Sequence, residues 1–325
     1  MGRDKRFFDR FTTQFNEIEN ELEKSFSSSE PLIKEIVRHS LLGEGKRLRP
    51  LLFILSSLIC GYEKRDIYRL SAIFEYIHCA SLLHDDVIDN ADTRRKKPSA
   101  SSVWGNTAAV LTGDFLFSMA FNIAIESKNL DILSIVNRTA VLMTEGQVRE
   151  LVFAGKWDIK EEDYLKIITL KTAELLSVSC ESGAVISDAD KNSMNALKKF
   201  GLNMGIAFQI VDDLLDYTAS EEEFGKPVGK DIREGKVTLP LIYTISEMKE
   251  SDAKRFETLL INGNGREEDY DELINIVRES GNMEKTKEKA QRYVNEAAKY
   301  LKSFPASRYR EDLLFLNDYM LERLY

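Results

Sequence analysis

The sequence is poor in the residues that interrupt helices and in those that bind soft metals. Its 325 residues include six prolines, 17 glycines, three cysteines and three histidines. Because the cysteines are odd in number and widely spaced, they fit neither a disulfide framework nor a cysteine-based zinc site. Basic residues number 45 against 54 acidic ones, for a net charge of −9. This balance argues against a general nucleic-acid binder, which needs a basic surface.

Long uncharged runs are also scarce. The uncharged stretch 50–62 is well short of the roughly 20 apolar residues that a membrane-spanning helix needs. The N-terminal sequence MGRDKRFFDRF lacks the continuous apolar core of a secretion signal. The sequence therefore predicts a soluble, cytoplasmic protein without a transmembrane segment.

The chain is instead rich in segments whose apolar residues recur at spacings of three and four, the period of an amphipathic helix. The first runs through Phe7, Phe8, Phe11, Phe15, Ile18 and Leu22. Similar segments cover roughly 32–42, 48–61, 65–90, 107–127, 130–153, 161–187, 190–218, 236–249, 282–302 and 308–324. The sequence shows no alternating strand pattern, no fixed repeat and no flexible linker. It predicts a single all-α domain over 1–325, with the helices 65–90 and 190–218 buried at its centre.

Carboxylates occur inside these two apolar helices, in two ladders of the form Asp-Asp-x-x-Asp. The first ladder is Asp85, Asp86 and Asp89, and the second is Asp212, Asp213 and Asp216. Residues four apart share one helix face, where like charges repel, and a partly buried carboxylate is costly without a cation. One such ladder alone is more often a solvated acidic face. Two of them predict a site for a hard divalent cation, and all-oxygen ligands suit magnesium.

Basic residues in the breaks between helices complement these ladders. They occur in Gly45–Pro50, in Arg94–Lys97, at Lys171, in Gly225–Asp231 and at Lys236. Any one of these is typical of a solvated surface. Together with magnesium-type carboxylates they favour a doubly anionic ligand such as a diphosphate, which metal neutralises on one side and Arg or Lys binds on the other.

In this order and spacing the motifs resemble those of the trans-polyprenyl diphosphate synthases, over nearly the whole chain. The segments that carry the resemblance are Gly45–Pro50, 85–89 with Arg94-Arg95, Lys171-Thr172, Phe208-Gln209 with 212–216, and Gly225–Asp231. The resemblance implies an all-α bundle with a deep central cavity, assembled as a homodimer. It implies the addition of isopentenyl diphosphate to an allylic diphosphate, with magnesium as cofactor and three ions when substrate is bound.

The resemblance also implies a role for each matching residue. The principal magnesium ligands, bridging the allylic diphosphate, would be Asp85, Asp89 and Asp212. Carboxylates that ligate or orient in support would be Asp86, Asp213 and Asp216. The allylic diphosphate would be held by Arg94, Lys171 and Lys226. Isopentenyl diphosphate would be bound by Lys46, Arg49, His78 and Arg95, and Lys236 would be a further substrate-binding residue. The residues beside the reacting carbons, whose oxygens can stabilise positive charge, would be Thr172 and Gln209.

Product length is predicted from the residues that precede the first ladder. Short-chain relatives typically place a bulky aromatic five or four residues before the first aspartate, or carry two extra residues in the ladder. This chain has Ala80 and Ser81 there and no insertion. The next large aromatic on roughly the same face is Phe74, although Phe117 of another helix could also close a tunnel. A medium-to-long product is expected, from hexaprenyl to decaprenyl, destined for a quinone or similar lipid. A farnesyl or geranylgeranyl diphosphate synthase and the catalytic subunit of a heteromeric synthase remain alternatives.

Three rival functions fit the residues less well. A di-iron carboxylate bundle needs two Glu-x-x-His pairs, and the sequence has only Glu75 with His78. A class I terpene cyclase shares the first ladder but needs no isopentenyl diphosphate site, so Lys46, Arg49 and Arg95 would be idle. A non-catalytic partner subunit would be expected to have eroded metal motifs, whereas both ladders are intact.

Overall fold

The computed structural model describes residues 2–26, 28–42, 45–94, 97–218, 229–262 and 265–324, and they are mostly helical. In chain order the helices are α1 (Gly2–Arg10), α2 (Thr12–Ser25), α3 (Pro31–Ser40), α4 (Leu48–Ile59), α5 (Ile67–Ile88), α6 (Ala100–Trp104), α7 (Asn106–Glu126), α8 (Leu130–Phe153), α9 (Glu161–Ile168), α10 (Glu174–Ile186), α11 (Lys191–Thr218), α12 (Lys230–Arg233), α13 (Leu239–Glu247), α14 (Glu250–Asn262), α15 (Glu267–Glu279), α16 (Asn282–Tyr300) and α17 (Arg308–Glu322). A π-helical turn, Thr169–Ala173, joins α9 to α10, and a 3₁₀ turn, Leu301–Ser303, follows α16.

The prediction of an all-α fold is confirmed, although several elements differ locally. Two short antiparallel strands, β1 (Thr93–Arg94) and β2 (Lys97–Pro98), were not predicted. The first predicted helix is divided at Phe11 into α1 and α2. Helices α14 and α15 were missed, although their buried residues follow the helical period.

The described helices form two compact units. The first comprises residues 1–140, 178–198 and 304–313, and the second comprises 141–177, 199–303 and 314–325. The single domain over 1–325 stays a prediction. The first ladder belongs to the first unit and the second ladder to the second.

The core of the first unit forms around α5, which packs against α2, α4 and α7. Phe7, Phe11 and Phe15 are buried, and the Phe7 ring centroid lies 5.8 Å from that of Phe11 and 5.4 Å from that of Phe15. The rings of Phe53 on α4 and Phe74 on α5 are 5.2 Å apart. The central position predicted for the 65–90 helix is therefore met within this unit.

The core of the second unit forms around the C-terminal half of α11. Ile210, Val211 and Leu214 are buried there in one apolar cluster with Leu239 of α13 and Leu273 of α15. Burial of these residues fixes the rotation of α11 about its axis, because side chains three and four apart share a face. The same rotation sets the directions of the aspartates between them.

One helix of the described residues is long and apolar enough to cross a membrane by length and composition. It is α7, with a mean hydropathy of 1.6 over its most apolar window, of which 39% is buried. The sequence prediction that no run is long and apolar enough was therefore wrong for this helix. A single such helix is weak evidence for a membrane span, because the core helix of a soluble protein passes the same test. Helix α7 packs along α5 in the first unit.

Candidate active site

A buried arginine anchors the basic loop that leads into α4. Arg47 is 3% exposed and has a positive φ of 43°. Its guanidinium donates to Glu19 on α2 at 2.5 Å and to Glu75 on α5 at 2.7 Å. Burial lowers the pKa of Arg47, but the charges of Glu75 and Glu19 outweigh burial and raise it above its ordinary value. This anchor holds the backbone between the half-buried Lys46 and Arg49.

The same ion pair accounts for Glu75, the one glutamate that stands three residues before a histidine. The Glu75 carboxylate is 5% exposed and accepts from Arg47. It therefore serves as a structural counter-ion, which agrees with the rejection of a di-iron site. His78, predicted to bind substrate, lies half-buried almost one turn further along α5.

Replacing Arg47 with methionine is expected to lower the free energy of unfolding by about 3–5 kcal/mol, because it leaves the buried Glu75 charge without its partner. Glu19→Gln is the matched control. Its side chain is 43% exposed, so a loss of at most about 1 kcal/mol is expected. Urea unfolding followed by circular dichroism measures both variants. Equal midpoints for Arg47→Met and the parent would contradict the anchoring role.

The first ladder lies at the C-terminal end of α5. Asp85 and Asp89 are half-buried and one turn apart, and the Asp89 N–H donates to the Asp85 carbonyl at 2.8 Å. Asp86 is 3% exposed and accepts from Arg94 of β1, whose Nε lies 2.8 Å and whose Nη2 lies 2.6 Å from Oδ1. Arg94 thus neutralises Asp86 and ties the strand pair to α5. Arg95 lies outside the described residues.

His84, in the last turn of α5, contacts α7. Its Nε2 lies 3.1 Å from the carbonyl oxygen of Val110 and 3.4 Å from Oδ1 of Asp114. A Cβ atom on Gly113 would come within 2.3 Å of that nitrogen. Only glycine at 113 therefore allows the ring this close to α7, and the contact orients the turn that carries Asp85 and Asp89.

A π-helical turn in the second unit presents Lys171 and Thr172. Single π turns inside helices are rare and occur frequently at functional sites. Lys171 Nζ donates to Glu150 of α8. A Cβ atom added to Gly146 would lie 2.6 Å from the backbone nitrogen of Lys171, so α8 packs directly against this turn. The predicted diphosphate-binding lysine is therefore held in place by α8.

The first aspartate of the second ladder, Asp212, contacts a residue near the end of the described chain. Arg323 follows α17, and its Nη2 lies 2.6 Å from Asp212 Oδ1. The same guanidinium lies over the Phe208 ring, 4.8 Å from its centroid. The Arg323 Nη1 atom is buried and has no hydrogen-bond partner among the described residues. A cation thus stands beside the predicted metal ligand.

The second aspartate, Asp213, is buried at 5% exposure, and both of its oxygens accept hydrogen bonds. The Tyr164 hydroxyl donates to Oδ2 at 2.6 Å, and Gln209 Nε2 donates to Oδ1 at 2.8 Å. The Thr172 hydroxyl donates to Gln209 Oε1 at 2.9 Å. Burial, and next the charge of Asp231, raise the pKa of Asp213 well above its ordinary value. Thr172 and Gln209, predicted to act together, are therefore brought together.

The third aspartate, Asp216, binds the backbone at the start of α12. Its Oδ1 accepts from the Lys230 N–H at 3.2 Å and its Oδ2 from the Asp231 N–H at 3.1 Å. Burial, then the charge of Asp216, raise the pKa of Asp231 to about 7. Lys236, predicted to bind substrate, pairs with Glu234 at 2.8 Å. Lys226 lies outside the described residues.

The carboxylates fit magnesium as part of a shared ligand set. Among the described residues no three His, Cys, Asp or Glu side chains cluster so as to hold a metal ion. Magnesium usually takes one or two protein carboxylates and completes its shell with water and substrate phosphates. In the first unit, Asp85 and Asp89 are one turn apart and match that requirement. Asp86, Asp212, Asp213 and Asp216 each accept from a protein donor.

Comparison with known proteins decides the family. A family model described as polyprenyl synthetase matches residues 30–277. The chain belongs to the polyprenyl synthetase family. Octaprenyl diphosphate synthase of Escherichia coli is 33% identical, over 92% of this chain and 93% of that protein. Heptaprenyl diphosphate synthase component 2 of Bacillus subtilis is 34% identical, over 95% and 87%. The crystal structure of a decaprenyl diphosphate synthase from Rhodobacter capsulatus gives a TM-score of 0.92 at 33% identity, over 99% of each chain.

These matches confirm the predicted family. They also confirm the prediction that the chain is a trans-prenyltransferase of the medium- or long-chain type. Within this polyprenyl synthetase, sequence reasoning missed four residues that contact the predicted site: Glu150, Tyr164, Asp231 and Arg323. Asp231 is the last residue of the motif Gly225–Asp231, so the motif was a usable signal for it. Only the tertiary fold links the other three to the residues that they contact.

Proposed function

We propose that this polyprenyl synthetase adds isopentenyl diphosphate units head to tail to an allylic diphosphate and stops between hexaprenyl and decaprenyl diphosphate. The observation that carries the proposal is the pair Asp85 and Asp89, half-buried and one turn apart at the end of α5 in a chain of this family. The octaprenyl and decaprenyl names of its relatives support the length.

The reaction proceeds by ionisation, condensation and elimination. The allylic carbon–oxygen bond breaks, and the diphosphate leaves with the electron pair. The double bond of isopentenyl diphosphate attacks the allylic cation and forms the new carbon–carbon bond. The condensed cation then loses a proton to the released diphosphate and forms a new double bond. The product is an allylic diphosphate that is one unit longer. Asp85 and Asp89, and likewise Asp212, would hold magnesium ions, which would supply Lewis-acid stabilisation of the departing charge when bound.

The protein's own cations and oxygens do the rest. Arg94, Lys171 and Lys226 bind the allylic diphosphate and stabilise its charge as it leaves. Lys46, Arg49, His78 and Arg95, with Lys236 in addition, bind isopentenyl diphosphate. The oxygens of Thr172 and Gln209 stabilise the positive charge that develops on the substrate carbons.

One incubation tests the proposal. The purified chain is supplied with isopentenyl diphosphate, farnesyl diphosphate and magnesium, and the products are dephosphorylated and sized by chromatography. Products of 30 to 50 carbons, six to ten five-carbon units, are expected from the chain alone. A geranylgeranyl product would favour the short-chain alternative. Activity that appears only on addition of a second protein would favour a heteromeric synthase, the alternative suggested by the relative named component 2.

The two substrates are expected to respond to different arginines. Arg49→Ala should raise mainly the KM for isopentenyl diphosphate, and Arg94→Ala should act mainly through the allylic substrate. Charged contacts to phosphate contribute about 1.5–3 kcal/mol each, so each KM should rise by roughly 10- to 150-fold. Arg95→Ala is expected to group with Arg49, and Lys171→Ala with Arg94. Steady-state kinetics with each substrate varied separately measure the split, and equal effects on both substrates would show a wrong assignment.

A homodimer and a cytoplasmic location stay predictions. Exposed apolar side chains support the dimer, because burial of apolar surface in a protein contact is favourable. They include Leu111 and Ile125 on α7, 60% and 59% exposed, and Leu130 and Leu151 on α8, 79% and 66% exposed.

A further inference from the structure

We propose that Asp213 is a positioning residue, which fixes the Gln209 amide and through it the Thr172 hydroxyl, in place of the supporting metal-ligand role implied by its motif. The inference rests on the proposed function, since it deepens the roles given there to Thr172 and Gln209.

The first step is that Asp213 is buried and accepts from protein donors at both oxygens. The residue is 5% exposed, and Tyr164 and Gln209 each donate to one of its oxygens. A metal at Asp213 would have to reach a buried oxygen that already accepts from one of these donors. The neighbouring Asp212 has a side chain that is 41% exposed, as a ligand shared with water and substrate phosphate requires.

The second step is the direction of the hydrogen bonds. Both oxygens of Asp213 accept, whereas an amide donates from nitrogen and accepts at oxygen. With its NH₂ group on Asp213, Gln209 must turn its carbonyl oxygen towards Thr172, whose hydroxyl donates to it at 2.9 Å. The single hydroxyl proton of Thr172 is thereby committed to Gln209. The remaining lone pairs of Thr172 and Gln209 present negative partial charge, which stabilises a carbocation.

The third step is the rigidity of the frame that carries these residues. Tyr164 is 4% exposed on α9, the helix that precedes the π turn, and its hydroxyl donates to Asp213 at 2.6 Å. A Cβ on Gly205 would lie 2.6 Å from the Ala173 Cα, so α11 and the π turn are in direct backbone contact. The hydrogen-bonded residues from Tyr164 to Thr172 therefore lie on closely packed helices.

The test compares removal of the acceptor with its conservative replacement. Asp213→Leu removes the acceptor at similar size, so the Gln209 amide can turn over. We expect kcat to fall about 10²-fold, the scale of losing one preorganised stabilising group, with both KM values within about threefold. Asp213→Asn can keep its oxygen on Gln209 and donate its NH₂ to the Tyr164 oxygen. It is expected to retain kcat within about fivefold.

Metal affinity separates the two roles without any turnover. Binding of Mn²⁺, in the presence of inorganic diphosphate, is followed by the loss of the free-ion electron paramagnetic resonance signal. Asp213→Asn and Asp213→Leu should bind Mn²⁺ like the parent, whereas Asp212→Asn should bind it at least 10-fold more weakly. Weakened Mn²⁺ binding in Asp213→Asn would establish a metal ligand and overturn the proposal.

A second variant pair keeps the test open if Asp213→Leu fails to fold. Tyr164→Phe removes one hydroxyl, and Gln209→Leu removes the amide. Because they act on one network, their losses in kcat should be non-additive in a double-mutant cycle. Strict additivity, or parent-like kcat in Asp213→Leu, would refute positioning. A parent enzyme that makes no prenyl product would instead refute the proposed function, and the Mn²⁺ titration would still report on Asp213.

Discussion

Replacing Asp85 or Asp89 with alanine is expected to abolish turnover while the fold remains intact. Loss of a ligand removes transition-state charge stabilisation worth several kcal/mol, which is a fall in kcat of at least about 10³-fold. Both residues belong to one repulsive acidic turn, so removal of either charge should leave thermal stability unchanged or slightly raised. Product formation at saturating magnesium and thermal unfolding by circular dichroism measure the two effects.

Asp131→Ala is a suitable control, because Asp131 is an exposed carboxylate on α8. It should retain parent activity at every magnesium concentration. Near-normal activity in Asp85→Ala or Asp89→Ala would contradict the ligand assignment.

Asp212→Ala is expected to abolish turnover by the same loss, but its stability should respond differently. Asp212 pairs with Arg323 at 2.6 Å, so its removal leaves a guanidinium that is only 17% exposed without that partner. A small decrease in stability is therefore expected where Asp85→Ala shows none. The double variant Asp212→Ala with Arg323→Ala should recover this loss and remain inactive.

Most helices could be predicted because the buried residues recur at the spacing of an α-helix. Phe7, Phe11 and Phe15 face the core at spacings of four, as an amphipathic helix requires. The same signal was present in α14 and α15, where Phe256 with Leu260, and Leu273 with Val277, are buried four apart. Charged residues fill the other faces of these two helices.

The hydrogen-bond partners of the ladder carboxylates could not be predicted from local sequence. Asp85 and Asp86 are neighbours in sequence, but a helix turns about 100° per residue, so they point in different directions. Asp86 points towards Arg94, which lies on a strand pair that no alternating sequence pattern predicted. The repeated Asp-Asp-x-x-Asp spacing predicts a metal site at these carboxylates, and that role stays a prediction. The spacing could not show that Asp86, Asp212, Asp213 and Asp216 accept from protein donors.

Residues remote in sequence were missed for a related reason. Arg323 is more than a hundred positions from Asp212, and Tyr164 is nearly fifty from Asp213. Contacts over such separations arise from the packing of helices, and no local pattern encodes them. The π turn at Thr169–Ala173 is likewise set by the close approach of Gly146 and Gly205 from two other helices.

The path of the growing product concerns the face of α5 that carries Asp85. Ser81 is one turn before Asp85 on that face and is half-buried, with its hydroxyl donating to the His78 carbonyl at 2.8 Å. Ala80 is fully buried and shares a face with His84, which contacts α7. Phe74 lies eleven residues before Asp85, or roughly 16 Å along the helix. Small side chains at 80 and 81 would obstruct an apolar chain less than an aromatic ring would, and they also permit close helix packing.

A phenylalanine at either position is expected to shorten the product. Ala80→Phe and Ser81→Phe place an aromatic ring roughly 6 Å from the metal-binding turn, where it blocks growth after a few additions. Products should shift from the hexaprenyl-to-decaprenyl range to farnesyl or geranylgeranyl diphosphate, while the rate of the first condensation remains within a few fold. Val87→Phe adds the same bulk beyond Asp85, away from the path, and should leave product length unchanged. Chromatography of dephosphorylated products measures the distribution. If both Ala80→Phe and Ser81→Phe yield products as long as the parent's, the chain does not grow along this part of α5, and the small residues serve helix packing alone.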